Sequence, residues 1–336
     1  MTVFPRIAVL IPCYNEAATV AKVVADFRAA LPSATIYVYD NNSSDGTAFI
    51  AHGAGAVVRR ETLQGKGYVV RRMFADIEAD IYVMVDGDDT YEAPAAPLLI
   101  EALCSGPFDM VGGVRISTAE RAYRPGHRFG NRLLTGLVAA VFGKRTTDML
   151  TGFRVFSRRF VKTFPALSRG FEIETELTVH ALELGMPMTE VDTEYRARPP
   201  GSVSKLSTFK DGFRILWLIG RLVKEERPLQ FFATAGFVLA VAASGLSWPV
   251  IETYLATGLV PRFPTALLST GMMILSFLML ASGLILETVT RGRRENKRMR
   301  YLALPAPDID GNPIVHVSAL ASSSGRVDTR SLGQAA

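Results

Sequence analysis

Ile81-Tyr82-Val83-Met84-Val85, running into Asp86-Gly87-Asp88-Asp89, is the stretch whose reading decides the fold. Five apolar, β-prone residues in a row predict a buried strand, and three carboxylates crowd the turn that ends it. Carboxylates at that spacing repel one another unless a cation lies between them. A hard divalent metal, Mg²⁺ or Mn²⁺, held by Asp86 and Asp88 and completed by water and phosphate oxygens, satisfies the pattern. Gly87 lets the backbone turn tightly and leaves room for a ligand. The competing reading of a lone Asp-x-Asp is an acidic solvated turn, so the flanking sequence has to decide.

Working outward, Ile7-Ala8-Val9-Leu10-Ile11 predicts a first strand stopped by Pro12, and Glu16 to Ala30 carries a helical pattern. Thr35-Ile36-Tyr37-Val38-Tyr39 predicts a second strand that runs into Asp40-Asn41-Asn42-Ser43-Ser44-Asp45-Gly46-Thr47. A helix over Ala48 to Gly53, a strand at Val57-Val58 and a helix from Gln64-Gly65-Lys66-Gly67 to about Ala79 follow. Strands and helices alternating at this spacing predict an α/β, parallel, doubly wound sheet, which binds ligands beyond the carboxyl ends of its strands. Three polar clusters, Tyr14-Asn15-Glu16, Asp40 to Thr47 and Asp86 to Asp89, fall at that edge.

These motifs resemble the large inverting glycosyltransferase family with the GT-A fold: Pro12-Cys13-Tyr14-Asn15-Glu16, Asp40 to Thr47, Gly65-Lys66-Gly67 and Asp86-Gly87-Asp88. Val111-Gly112-Gly113-Val114-Arg115, Thr151-Gly152-Phe153-Arg154, Gly170-Phe171-Glu172 and Arg198 through Lys205 narrow the likeness to family 2 and its polyprenyl-phosphate hexose synthases, the dolichyl-phosphate mannose synthase and bactoprenol glucosyltransferase type. The resemblance implies a nucleotide-sugar donor of the GDP-mannose or UDP-glucose type. It places Pro12, Tyr14, Glu16, Tyr39, Asp40, Asn41, Lys66, Asp86, Gly87, Asp88, Arg198 and Lys205 around that donor, with the metal on Asp86 and Asp88. The chain departs at Asn41, where the family usually has a second Asp, and in the Arg198-Pro199-Pro200-Gly201-Ser202-Val203-Ser204-Lys205 loop, which has one residue extra.

A phosphate acceptor is already an anionic nucleophile and needs a cationic cradle; a hydroxyl acceptor needs a general base. Arg115, Arg128 and Arg154 are the candidates for the cradle, and Arg115 directly follows the apolar segment Met110 to Val114. The resemblance implies a carboxylate base in the region of Glu172, Glu174 and Glu176, which begin a helix, although acidic residues also suit a helix N-terminus. Asp88, Arg115 and Glu172 are thus the catalytic candidates. A membrane glycosyltransferase acting on a lipid or glycan hydroxyl stays open as an alternative, as does a catalytically silent scaffold.

The chain has 336 residues, a hydrophobic fraction of 49% and a net charge of +5, with the apolar excess in its last third. Phe231 to Ile251 and Phe263 to Leu286 hold no charged residue, and each is long enough to cross a bilayer. Arg221, Lys224 and Arg227 precede the first, and Arg291 to Arg300 is rich in base after the second, so both flanks are expected on the cytoplasmic side of the inner membrane. Phe209 to Lys224 has the composition of an amphipathic interface helix, and Gly126 to Phe142 that of an interface helix or a core helix. The expected organisation is a catalytic domain over 1–208, an interface helix over 209–228, two transmembrane helices over 229–290, and a basic segment with a disordered tail over 291–336. No secretory signal or cysteine framework is visible in the sequence, and no nucleic-acid partner is expected. A homo-oligomer is left open.

Overall fold

The computed structural model describes residues 5–116, 147–199 and 223–306, together with 136, 217, 220 and 221. The described residues form a seven-stranded mixed sheet in the order β3-β2-β1-β4-β6-β5-β7. Its strands are β1 (Ile7–Cys13), β2 (Thr35–Asp40), β3 (Val57–Arg60), β4 (Ile81–Met84), β5 (Met110–Ile116), β6 (Arg154–Ser157) and β7 (Met188–Glu194). β1 pairs in parallel with both β2 and β4, as the alternating pattern predicts, and β5 pairs in parallel with β7. β6 is antiparallel to β4 and to β5 and separates them. The sheet is therefore mixed rather than wholly parallel. This is the arrangement of a GT-A fold.

Pro12 does not stop β1. The ladder between β1 and β4 ends at Leu10↔Met84, while β1 continues beside β2 to Cys13↔Asp40. Pro12 lies past the last β4 pairing, so its missing N–H leaves no bond unmade on that side. Helices cover both faces. α1 (Val20–Ala30), α2 (Thr47–Gly53) and α4 (Ala95–Ser105) pack on one side with Val9, Val38, Val83 and Val155. α3 (Lys66–Asp76), α5 (Arg158–Thr163) and α6 (Ile173–Leu184) pack on the other with Leu10, Tyr82, Met84 and Phe156. Each such fully buried side chain contributes about 1.5–3 kcal/mol. α1 begins four residues later than its apolar pattern predicts, because Glu16 and its neighbours form a tight turn in which Asn15 takes φ 54°.

The chain then forms α7 (Pro228–Thr257) and α8 (Phe263–Leu302), both long and apolar enough to cross a membrane. Only 11% of the apolar window of each is buried. Their contact is a seam of residues seven apart: Gly236, Ala243 and Val250 on α7 against Ser269, Ser276, Gly283 and Thr290 on α8. A seven-residue repeat winds two helices left-handed, and small side chains let their backbones approach. A Cβ on Gly283 would lie 3.1 Å from Cβ of Phe232, and Ser276 Oγ donates to the Gly236 carbonyl at 2.8 Å. α8 does not end at the membrane boundary expected near residue 290. It continues as one helix through Arg291 to Leu302, where Arg, Lys, Glu, Met and Leu outnumber the weaker helix formers Gly292 and Asn296. The predicted interface helix at Gly126–Phe142 and most of that at Phe209–Lys224 lie outside the described residues, as do residues 307–336; residues 223–226 are helical.

Candidate functional site

The three predicted polar clusters meet at the carboxyl edge of β1, β2 and β4, which are neighbours in the sheet. The turn after β4 is pressed into place. A Cβ on Gly87 would lie 2.6 Å from Cys13 Sγ, and the Gly87 carbonyl accepts Thr19 Oγ1 at 2.6 Å. A Cβ on Gly152 would collide with the Asp86 carboxylate, so the Thr151-Gly152 turn leaves that side chain its space. Tyr91 holds the same turn: its hydroxyl accepts Gly152 N at 2.8 Å.

The acidic turn divides its charges. Asp89 takes φ 57° and pairs with Lys22 at 2.7 Å, away from the other two. Asp86 Oδ1 accepts Lys66 Nζ at 2.6 Å, and Lys66 reaches Glu174 Oε1 at the same distance. Asp88 Oδ2 meets Arg198 at 2.5 Å, while its Oδ1 accepts Thr90 Oγ1 at 2.6 Å. Burial, then the charge of Asp86, pushes the Asp88 carboxyl above the usual aspartate range, with Arg198 pulling the other way. Burial alone would lower the Lys66 ammonium, but Asp86 and Glu174 outweigh it and hold it up. Burial raises the Glu174 carboxyl against the pull of Lys66.

This donor set fits a hard divalent cation. Two carboxylates share one turn at this edge, and burial, then the charge of Asp86, raises the Asp88 carboxyl, a shift that an added cation would oppose. Among the described residues no group of three or more His, Cys, Asp or Glu is placed for a metal. A cation there would complete its shell with water and substrate phosphates.

Several sequence-predicted residues have other work. Arg154 is not an acceptor-phosphate residue: it is 1% exposed, and its guanidinium donates to Thr151 O at 3.0 Å, Met149 O at 2.5 Å and Thr178 Oγ1 at 2.9 Å. It ties the loop before β6 to α6, and burial lowers its pKa. Arg115 forks onto Asp148 at 2.6 and 2.7 Å and lies over the Tyr195 ring, so its charge is already matched. Glu172 accepts the amides of Arg169 and Gly170 at 3.3 and 3.1 Å, closing its own turn rather than serving as a free base. Glu174, two residues on and 8% exposed, is the carboxylate that enters the site.

On the donor side, Asn41 is consumed within the protein. Its amide donates to Glu61 O at 2.9 Å and Leu63 O at 2.8 Å and accepts Gly65 N at 2.7 Å, bracing the turn that carries Lys66. It is not placed to read a base. Asp40 is different: one oxygen accepts Ser43 N at 3.2 Å, and the other is buried with no partner among the described residues. Tyr14 is half exposed, Pro12 sits at the same edge, and buried Glu16 donates its backbone N–H to Thr47 Oγ1 at 2.9 Å. The Tyr39 ring is core, its hydroxyl donating to Asp76 Oδ2 at 3.1 Å. Arg128 and Lys205 lie outside the described residues.

Sequence reasoning missed the Lys66–Glu174 bridge, the Asp148 partner of Arg115, and Tyr91. For Tyr91 there was a signal, since an aromatic three residues beyond Asp88 is close enough to floor the same site.

Comparison with known proteins agrees with this fold. The profile described as Glycosyl transferase family 2 matches residues 8–164. Protein RfbJ of Shigella flexneri is 56% identical over 124 residues, 37% of this chain and 96% of that protein. Glycosyltransferase AglJ of Haloferax volcanii is 37% identical over 247 residues, covering 72% of this chain and 80% of AglJ. A dolichyl-phosphate hexose transferase of the same organism is 28% identical over 224 residues, 67% of this chain and 96% of that protein. Among solved structures, glucosyl-3-phosphoglycerate synthase from Mycobacterium tuberculosis, in complex with Mn²⁺, UDP and phosphoglyceric acid, shares the fold. It superposes with a TM-score of 0.54 at 22% identity, covering 66% of this chain and 78% of that one. With the GT-A sheet, the acidic turn and this relationship to AglJ in hand, the chain belongs to glycosyl transferase family 2.

Proposed function

We propose that this glycosyltransferase moves a hexose, with inversion, from a nucleotide-sugar to a polyprenyl phosphate at the cytoplasmic face of the inner membrane. The observation that carries the reading is the state of the carboxylates near the acidic turn. Glu174 gives one oxygen to Lys66 and Glu172 gives one to the amides of its own turn, so each carboxylate already has a structural task besides that of a general base. A phosphate acceptor asks for no such base. A dolichyl-phosphate hexose transferase and an undecaprenyl-phosphate mannosyltransferase among the relatives support the same choice.

In this reading Asp86 and Asp88 hold a divalent cation, which when bound supplies Lewis-acid stabilisation of the leaving diphosphate. The partnerless oxygen of Asp40 is a buried acceptor of the kind that a ring N–H of a nucleobase satisfies. Lys66, fixed between two carboxylates, keeps Asp86 oriented, and the Thr151-Gly152 turn backs it from the other side. Arg198 brings the start of its loop over Asp88 and supplies positive charge where the diphosphate would lie. Two helices long and apolar enough to cross a membrane support a lipid acceptor.

The test is transfer by the purified full chain from radiolabelled UDP- and GDP-hexoses to a polyprenyl phosphate and to a neutral lipid alcohol. The expected product is a lipid-phosphate-sugar with inverted anomeric configuration. Transfer to the alcohol but not to the phosphate would refute the reading.

A further inference from the structure

The basic run after the second apolar segment reads in the sequence as a topological signal, yet the structure pairs part of it with the catalytic domain. Lys297 pairs with Glu183 at 2.7 Å, and Arg294 with Glu226 at 3.4 Å; the two carboxylate side chains are 4% and 6% exposed. One turn further on, Tyr301 donates to Asp109 Oδ2 at 2.7 Å, and Asp109 is completely buried just before β5. Three parts of the chain are joined here: the end of α6, the helical residues before α7, and the last turns of α8.

The location matters more than the count of contacts. Glu183 sits in the last turn of α6, whose first turn carries Glu174 and its bridge to Lys66, about 13 Å away at 1.5 Å per residue. Asp109 likewise lies immediately before β5, whose far end carries Arg115. The cluster therefore touches no group of the candidate site, but grips the opposite ends of two elements that build it. Contacts between domains leave them mobile by default unless something specific holds them. Buried ion pairs add little net stability, and their better-attested use is to fix one register among several.

We propose that Lys297, Glu183, Tyr301 and Asp109 are positioning residues that clamp the catalytic domain to the α7–α8 hairpin, so that the site meets an acceptor headgroup held in a bilayer. This rests on the polyprenyl-phosphate reading above. Orientation toward a bilayer-bound acceptor is what the clamp supplies; a freely diffusing acceptor does not need it.

The test uses the full chain in liposomes, comparing Lys297→Glu, Tyr301→Phe and the charge swap Glu183→Lys/Lys297→Glu with wild type. Each is assayed on a long-chain polyprenyl phosphate in the bilayer and on a short water-soluble prenyl phosphate. Lys297→Glu is expected to lose about tenfold in kcat/KM on the bilayer acceptor while staying within about twofold on the soluble one, and the swap to recover most of the loss. An equal loss on both acceptors, or none on either, overturns the proposal. A second readout is independent of activity: spin labels at Leu167→Cys and Leu259→Cys in a Cys104→Ser background, at positions 66% and 68% exposed. The distance distribution should broaden in Lys297→Glu and narrow again in the swap; an unchanged width overturns the clamp. If wild type transfers to neither phosphate, the functional reading fails, and the spin-label widths still decide whether the clamp exists.

Discussion

Replacing Lys66 with methionine isolates the charge balance at the centre of the site. Lys66 is 8% exposed and bridges Asp86 and Glu174, whose side chains are 27% and 10% exposed. Removing one partner of a buried ion pair costs about 3–5 kcal/mol, because the other charge is stranded. For a domain of this size each kcal/mol lowers Tm by about 2–4 °C, so the expected fall is about 6–20 °C. The assay follows from two cysteines. Cys13 is buried beneath Gly87, so in a Cys104→Ser background a thiol-reactive fluorogenic dye reports opening of the catalytic domain alone. Both tryptophans, Trp217 and Trp248, lie outside that domain and would report something else.

The pH dependence has a definite sign. Lys66 pulls the raised Glu174 carboxyl down, so the methionine variant raises it further. A carboxyl whose folded pKa exceeds its unfolded one, about 4.3, destabilises at neutral pH, and the penalty is relieved as pH falls toward that value. The Tm gap between variant and wild type should therefore narrow from pH 8 to pH 5. Lys66→Met/Glu174→Gln should recover part of the loss at pH 8. A Tm within 1 °C of wild type, or a double variant no better than the single, refutes the reasoning.

Asp88→Asn should cut transfer by about a hundredfold or more, as should chelation of divalent cations from wild type, given the scale of electrostatic transition-state effects; full activity in chelator would sink the metal assignment. Arg198 lowers the Asp88 carboxyl, so Arg198→Gln should move the acid limb of Mn²⁺ binding to higher pH, a shift that titration calorimetry at several pH values would show. Glu172→Gln should change kcat by less than about threefold, since a neutral amide oxygen still accepts the two turn amides; a loss as large as that of Asp88→Asn would restore Glu172 as the base. Arg115→Ala should lower both stability and transfer because it removes the forked ion pair with Asp148. Adding Asp148→Asn should restore Tm, and recovery of transfer as well would make Arg115 purely structural.

The strands and their ligand-bearing edge were legible because a buried strand followed by a polar turn is a local pattern. The place of β6 was not: an antiparallel strand inserted between β4 and β5 is a long-range pairing that four apolar residues cannot announce. Glu172 and Glu174 look alike in sequence, since both suit a helix start; only the approach of Lys66 from 108 residues away separates them. Arg154 sits in a family-matching motif, and its burial depends on carbonyls from Met149 and Thr151 that no spacing rule reveals. The basic run after residue 290 disclosed its charge and not its partners, because Glu183 and Glu226 are distant in the chain.

The unbroken length of α8 makes it a lever. From Glu287 to Leu302 it extends about 23 Å at 1.5 Å per residue. A helix accommodates a bilayer thinner than its apolar stretch by tilting. By simple trigonometry, a tilt of about 10° would swing the far end by about 4 Å, more than the length of a hydrogen bond. In a bilayer-spanning α8, lipid acyl-chain length would become an input to the geometry around Tyr301 and Asp109.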